Sequence, residues 1–143
     1  MTFLAEAERL VDATPEAAFD RLADLSSWPR WMPETFRLVG PPPEAMKPGA
    51  TFRVRIVHLP VPNTLTLTRF ERGRELAWRG GSALLHGHHH FFFEPLEGGK
   101  TRVRSSEEWG GLLAPVLRLV LKPVAEKLGG EQLDGLARSL KPV

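Results

Sequence analysis

No cysteine occurs in the 143 residues, which removes disulfides, thiolate metal ligands and a cysteine nucleophile from consideration. Asparagine and glutamine are down to one each, Asn63 and Gln132, so the chain is poor in heat-labile side chains. That trait bears on stability and says nothing about activity. Long hydrophobic runs are also missing: the most apolar stretch, LLAPVLRLVL, is broken by Arg118 and closed by Lys122, far short of a membrane span. The opening MTFLAEAERL sets Glu6 and Glu8 where a secretory leader wants a basic and then an apolar region, so a cytoplasmic protein with no membrane insertion is expected. Concentrated charge is lacking too. The net charge is +2, and the arginines are dispersed without a basic cluster or an aromatic and basic motif, so no nucleic-acid partner is expected.

A chain of this length fits a single domain, 1–143, whose folding buries roughly 70% of the extended chain's surface. Residues 2–11 alternate loosely as a first strand. Thr14-Pro15-Glu16 then starts a helix, with Thr14 as cap, Pro15 where a missing N–H costs nothing and Glu16 at the positive end of the dipole. The helix runs to about Asp24, and a short second turn places Trp28 three residues before Trp31. Strand-length runs follow at 34–40, 50–59, 63–70, 75–81, 84–94 and 100–109, separated by Pro- and Gly-rich turns that imply antiparallel neighbours. From Leu112 to Leu140 the period becomes helical, with Leu113, Val116, Leu117, Val120, Val124 and Leu128 on one stripe expected to face the sheet. Pro123 is expected to kink this helix and Gly129-Gly130 to weaken it. The order predicts an α+β domain, one antiparallel sheet with a long apolar helix on one face.

The densest chemistry lies in His86-Gly87-His88-His89-His90-Phe91-Phe92-Phe93. Pairing this strand with its successor through the turn Glu97-Gly98-Gly99-Lys100 sets Phe93 opposite Val103, Phe91 opposite Ser105, His89 opposite Glu107 and Gly87 opposite Trp109. The inward face then holds one histidine, His89, across from one carboxylate, Glu107, with Trp109 filling the space over Gly87. The outward face collects His86, His88 and His90 with Arg102, Arg104, Ser106 and Glu108. Alternate histidines on one strand sit close enough to share an ion, but with no cysteine or fourth ligand at a usual spacing the row reads as a solvated sheet face, and no metal or other cofactor is expected. His89 with Glu107 reads either as a structural buried ion pair or as the polar anchor of a binding or acid–base site.

Several motifs are shared with a known family. Trp28-Pro29 and Trp31-Met32-Pro33 after the Thr14-Pro15-Glu16 helix, Leu76-Ala77-Trp78-Arg79-Gly80, the Gly87-x-His89-x-Phe91-x-Phe93-Glu94-Pro95 strand, Thr101-Arg102-Val103 and Glu107-x-Trp109-x-Gly111-Leu112-Leu113-Ala114-Pro115 resemble the polyketide cyclase/dehydrase branch of the SRPBCC superfamily, which also contains START lipid-transfer domains. The resemblance covers the chain in order. It implies a helix-grip fold: a seven-stranded antiparallel sheet curved around a long C-terminal helix, two short helices after the first strand, and an apolar cavity between sheet and helix. The departures are Trp109 where the family has phenylalanine, and the Pro123 and Gly129-Gly130 interruptions of the last helix.

Carried onto this chain, the resemblance implies a cavity lined by Val54, Ile56 and His58 of the third strand, by Trp78, and by His89, Phe91, Ser105, Glu107 and Trp109 of the last two strands. Leu117, Val120 and Val124 of the helix are expected to close it, with Trp28 and Trp31 either near an entrance or packed beneath the small helices. The function so implied is transport, storage or sensing of a small hydrophobic, aromatic or lipid-like molecule by a monomer or homodimer. One alternative is a cyclase or dehydratase with His89 as general acid–base oriented by Glu107. Another is a co-chaperone-like interaction module, which needs an exposed apolar patch outside the cavity; Phe92 and the 58–62 loop are its only hints.

Overall fold

The computed structural model describes residues 2–56 and 61–141. Strand β1 (Phe3–Val11) leads into α1 (Pro15–Ala23), a 3-10 turn at Leu25–Ser27 and the single-turn α2 (Trp28–Trp31). Strands β2 (Phe36–Val39), β3 (Thr51–Ile56), β4 (Asn63–Glu71), β5 (Glu75–Gly81), β6 (His86–Leu96) and β7 (Lys100–Gly110) follow, and α3 (Ala114–Ser139) ends the chain. All seven strands form one curled antiparallel sheet in the order β1-β7-β6-β5-β4-β3-β2. From β2 to β7 each strand pairs with the next, while β1 pairs with the other side of β7.

Local chemistry accounts for the element starts. Thr14 is extended, its hydroxyl accepts the Ala17 amide at 3.2 Å, and Pro15 occupies the first helical position. Alternation then sorts the sheet faces: Phe52 and Val54, Leu65 and Leu67, Leu76 and Trp78, Phe91 and Phe93, and Val103 are all buried. With Trp28 and Phe36 they build an aromatic core in which the Trp28 ring lies 5.7–5.8 Å from those of Phe36, Phe52 and Trp78.

Helix α3 departs from its expected packing. It continues through Pro123 and Gly129-Gly130 as one 26-residue helix, and the glycine pair is part of its contact surface. The buried residues of α3 are Ala114, Ala125, Gly129, Gly130, Gln132, Leu133, Gly135 and Leu136, so the second half carries most of its packing. Of the expected stripe, Leu128 joins the core and Leu117 is half-buried, but Leu113, Val116, Val120 and Val124 are exposed. Small residues are the cause. A Cβ on Gly129 would stand 3.2 Å from Ser105 Oγ, and one on Gly135 would collide with the Trp31 carbonyl oxygen, so the helix seats backbone-close on β1, β7 and α2 at its second half. The bulkier apolar stripe of the first half receives no such seat.

Candidate functional site

The β6–β7 pairing places Gly87 opposite Trp109, His89 opposite Glu107, Phe91 opposite Ser105 and Phe93 opposite Val103, the register read from the sequence. The inward face therefore carries a short polar row among aromatic rings. His89 is buried, stacks on Phe91 with ring centroids 4.1 Å apart and meets the edge of Trp78 at 5.5 Å. Its Nε2 lies 2.6 Å from Ser105 Oγ, and its Nδ1 lies 3.7 Å from Glu107 Oε1, close but beyond hydrogen-bond distance.

Both acid–base groups are displaced by burial. Desolvation, reinforced by the positive forms of His90 and His88, lowers His89 from 6.5 to about 3. Desolvation raises Glu107 from 4.5 to about 8, although its side chain keeps 12% of its surface exposed. Burial thus favours the uncharged form of both groups. The Trp109 indole is turned toward Glu107 enough to oppose part of that rise, yet its Nε1–H makes no bond of full geometry and stays a buried donor without a partner among the described residues. The indole lies over Gly87, where a Cβ would meet three ring carbons at 3.5 Å, and stacks on Phe3.

The other expected lining residues are distributed unevenly. Trp28 and Trp31 are buried under the small helices with both indole N–H groups satisfied, by the Leu22 carbonyl and Ser27 Oγ, each at 2.9 Å. Val54, Trp78 and Phe91 are fully packed, Ile56 is partly buried against the core, and Leu117 is half-buried. Val120 and Val124 are exposed at 67% and 45%, and His58 lies outside the described residues. A groove of about 610 Å³ at one end of β5–β7 is lined by Trp109 and Gly87 together with Thr64, Thr66, Arg79, His88 and Glu108.

On the outward face the histidine row is tied into neighbouring strands. His88 Nε2 lies 2.7 Å from Thr68 Oγ1, and His90 Nδ1 lies 2.7 Å from Glu75 Oε2. Burial, with His90 adjacent, holds His88 below its ordinary range. Phe92 lies beneath the Arg104 guanidinium at 4.6 Å and is half-buried. Sequence reasoning did not find Glu75, Thr68 or the buried Gln132, whose Oε1 has no partner among the described residues. The first two were reachable only by pairing β5 and β4 onto β6, where Ala77 meets His90.

Residues 2–143 match the family model described as polyketide cyclase / dehydrase and lipid transport. No curated protein matches the sequence. Among solved structures, a hypothetical protein from Helicobacter pylori superposes with a TM-score of 0.78 at 18% identity, over 99% of this chain and 89% of that one. The Zhui aromatase/cyclase from Streptomyces sp. R1128 gives a TM-score of 0.74 at 17% identity, over 96% and 93% of the two chains. Norcoclaurine synthase from Thalictrum flavum, solved with dopamine and hydroxybenzaldehyde, gives 0.68 at 13% identity, over 97% and 86%. At these identities the structural likeness speaks for the fold.

Proposed function

From the premise that the chain belongs to the polyketide cyclase / dehydrase and lipid transport family, within the SRPBCC superfamily, we propose that it binds a small hydrophobic or aromatic molecule between the inward face of its sheet and the first half of α3. The observation that carries this reading is the row His89, Ser105, Glu107 and Trp109: four polar-bearing side chains set among aromatic rings on the inward face, with one buried donor left without a partner among the described residues. Buried polar groups are normally satisfied, so an unpaired indole N–H beside a carboxyl is a place where a ligand's polar end completes the bonding. Leu117, Val120 and Val124 supply apolar surface that packing within the chain leaves half-buried or exposed, and Trp78 and Phe91 form the floor behind His89. Trp28, Trp31, Val54 and Ile56 support that floor.

A second reading, catalysis of a dehydration, rests on the spacing of the pair. Ser105 holds one nitrogen of His89 and leaves the other 3.7 Å from Glu107. In a β-hydroxycarbonyl substrate, His89 would take the proton next to the carbonyl and the electron pair would form the carbon–carbon double bond. The hydroxyl would leave as water with the proton of Glu107, which the proton on His89 then restores.

Native and denaturing mass spectrometry of the freshly purified protein tests the binding. A mass difference of a few hundred daltons that vanishes on unfolding is the expected outcome. A bare polypeptide, together with no uptake of apolar fluorescent probes, would overturn it. Loss of turnover in His89→Ala with retained probe binding would select the enzyme.

A further inference from the structure

We infer that the convex face of the sheet carries a site for one divalent transition-metal ion, held by His88, His90 and Glu108. His88 and His90 are alternate residues of β6 and leave the sheet on the same side, with ring centroids 4.1 Å apart. Glu108 is the cross-strand partner of His88 on β7. One donor atom from each of the three lies within 4.8 Å of the other two. Ligands sharing a tetrahedral zinc stand about 3.3 Å apart, so small rotations of the three side chains, Glu108 at 45% exposed having the most room to turn, would complete the approach.

The surroundings are what separate this trio from a chance cluster. Glu75 Oε2 accepts the His90 Nδ1–H at 2.7 Å, with both side chains less than one-fifth exposed. That bond fixes the tautomer and leaves the Nε2 lone pair directed to Glu108, whose Oε2 is 3.8 Å away. A carboxylate behind a histidine, orienting the ring and raising its basicity, is the usual outer shell of a metal-bound imidazole. Thr68 Oγ1, 2.7 Å from His88 Nε2, steadies the second ring in the same way. His86, the third member of the outward row, is not part of the site: it is exposed, and its ring sits over Gly110.

The donors are two imidazoles and one carboxylate with no thiolate, a set suited to Zn²⁺, Ni²⁺ or Cu²⁺ over Mg²⁺ and Ca²⁺, which favour all-oxygen shells. Three protein ligands leave at least one coordination position open. His88 and Glu108 also line the 610 Å³ groove with Thr64, Thr66 and Arg79, so the open position has room for water or a small polar ligand. The site lies on the opposite face of the sheet from His89 and Glu107 and does not depend on what those residues do.

Zn²⁺ titration by calorimetry, on protein stripped with chelator and carrying no histidine tag, tests the site. One ion per chain is expected, with affinity lowered at least tenfold in Glu108→Gln and His90→Ala and 10–100-fold in Glu75→Gln, and unchanged in His86→Ala. No saturable one-to-one binding, or wild-type affinity in Glu108→Gln, or an equal loss in His86→Ala, would overturn it. Glu108 is well exposed, so Glu108→Gln keeps the test decisive if His90→Ala does not fold.

Discussion

Ser105 Oγ stands 2.6 Å from His89 Nε2, with both side chains buried. The hydroxyl pairs the Nε2 of an imidazole that sits among Trp78 and Phe91. Ser105→Ala leaves that nitrogen unpaired, at a cost of about 1–3 kcal/mol. The expected result is a lower urea midpoint with an unchanged slope. A wild-type midpoint would mean that His89 gains nothing from the bond.

Burial opposes charge on both His89 and Glu107, and the two bias stability in opposite directions. Between 6.5 and about 3 the unfolded chain binds a proton that folded His89 refuses, so stability falls as pH drops below 6.5. Between 4.5 and about 8 folded Glu107 keeps a proton that the unfolded chain releases, so stability falls as pH rises above 4.5. The two slopes cancel from 4.5 to 6.5, where the pair's contribution is greatest, and each limb outside that window is at most about 1.4 kcal/mol per pH unit. Denaturation of wild type and Glu107→Gln across this range checks the assignment, since the substitution should flatten the alkaline limb. An alkaline limb that survives in Glu107→Gln belongs to another group.

Alanine for glycine inside a helix ordinarily stabilises by about 1 kcal/mol. At Gly135 the sign should reverse. The added methyl collides with the Trp31 carbonyl oxygen, and overpacking of this kind costs about 1–3 kcal/mol. A melting temperature at or above wild type for Gly135→Ala would mean that α3 is not seated against α2 as described.

The exposed stripe on α3 separates packing from binding. Val120→Lys with Val124→Lys should leave the stability of the unliganded protein within about 0.5 kcal/mol, because both residues are exposed. The same pair should weaken binding of an apolar fluorescent probe at least tenfold. Destabilisation beyond about 1.5 kcal/mol would place the stripe in the core, and unchanged probe binding would remove it from the proposed site.

The polar row was legible because little was needed to find it. A short turn at Glu97–Gly99 and the two-residue period of a strand fix which side chains of β6 and β7 face each other, and both can be counted along the chain. Thr68 was not legible by the same count. The β4–β5 pairing shifts register between Leu67 and Arg69, and one inserted residue changes which neighbours a strand presents.

Composition and alternation by themselves determined the element order, the antiparallel sheet, the inward His89–Glu107 pair and the split of the histidines between two faces, since each follows from turn residues and a side-chain period that can be counted along the chain. The tertiary structure alone decided which half of α3 is buried. Hydrophobic period marks a helix face but not its distance from a sheet; that distance was set where Gly129 and Gly135 admit backbone contact, leaving the more apolar first half uncovered. Likewise, only the folded sheet could bring Thr68 of β4 against His88, two strands away, because the register between β4 and β5 shifts between Leu67 and Arg69.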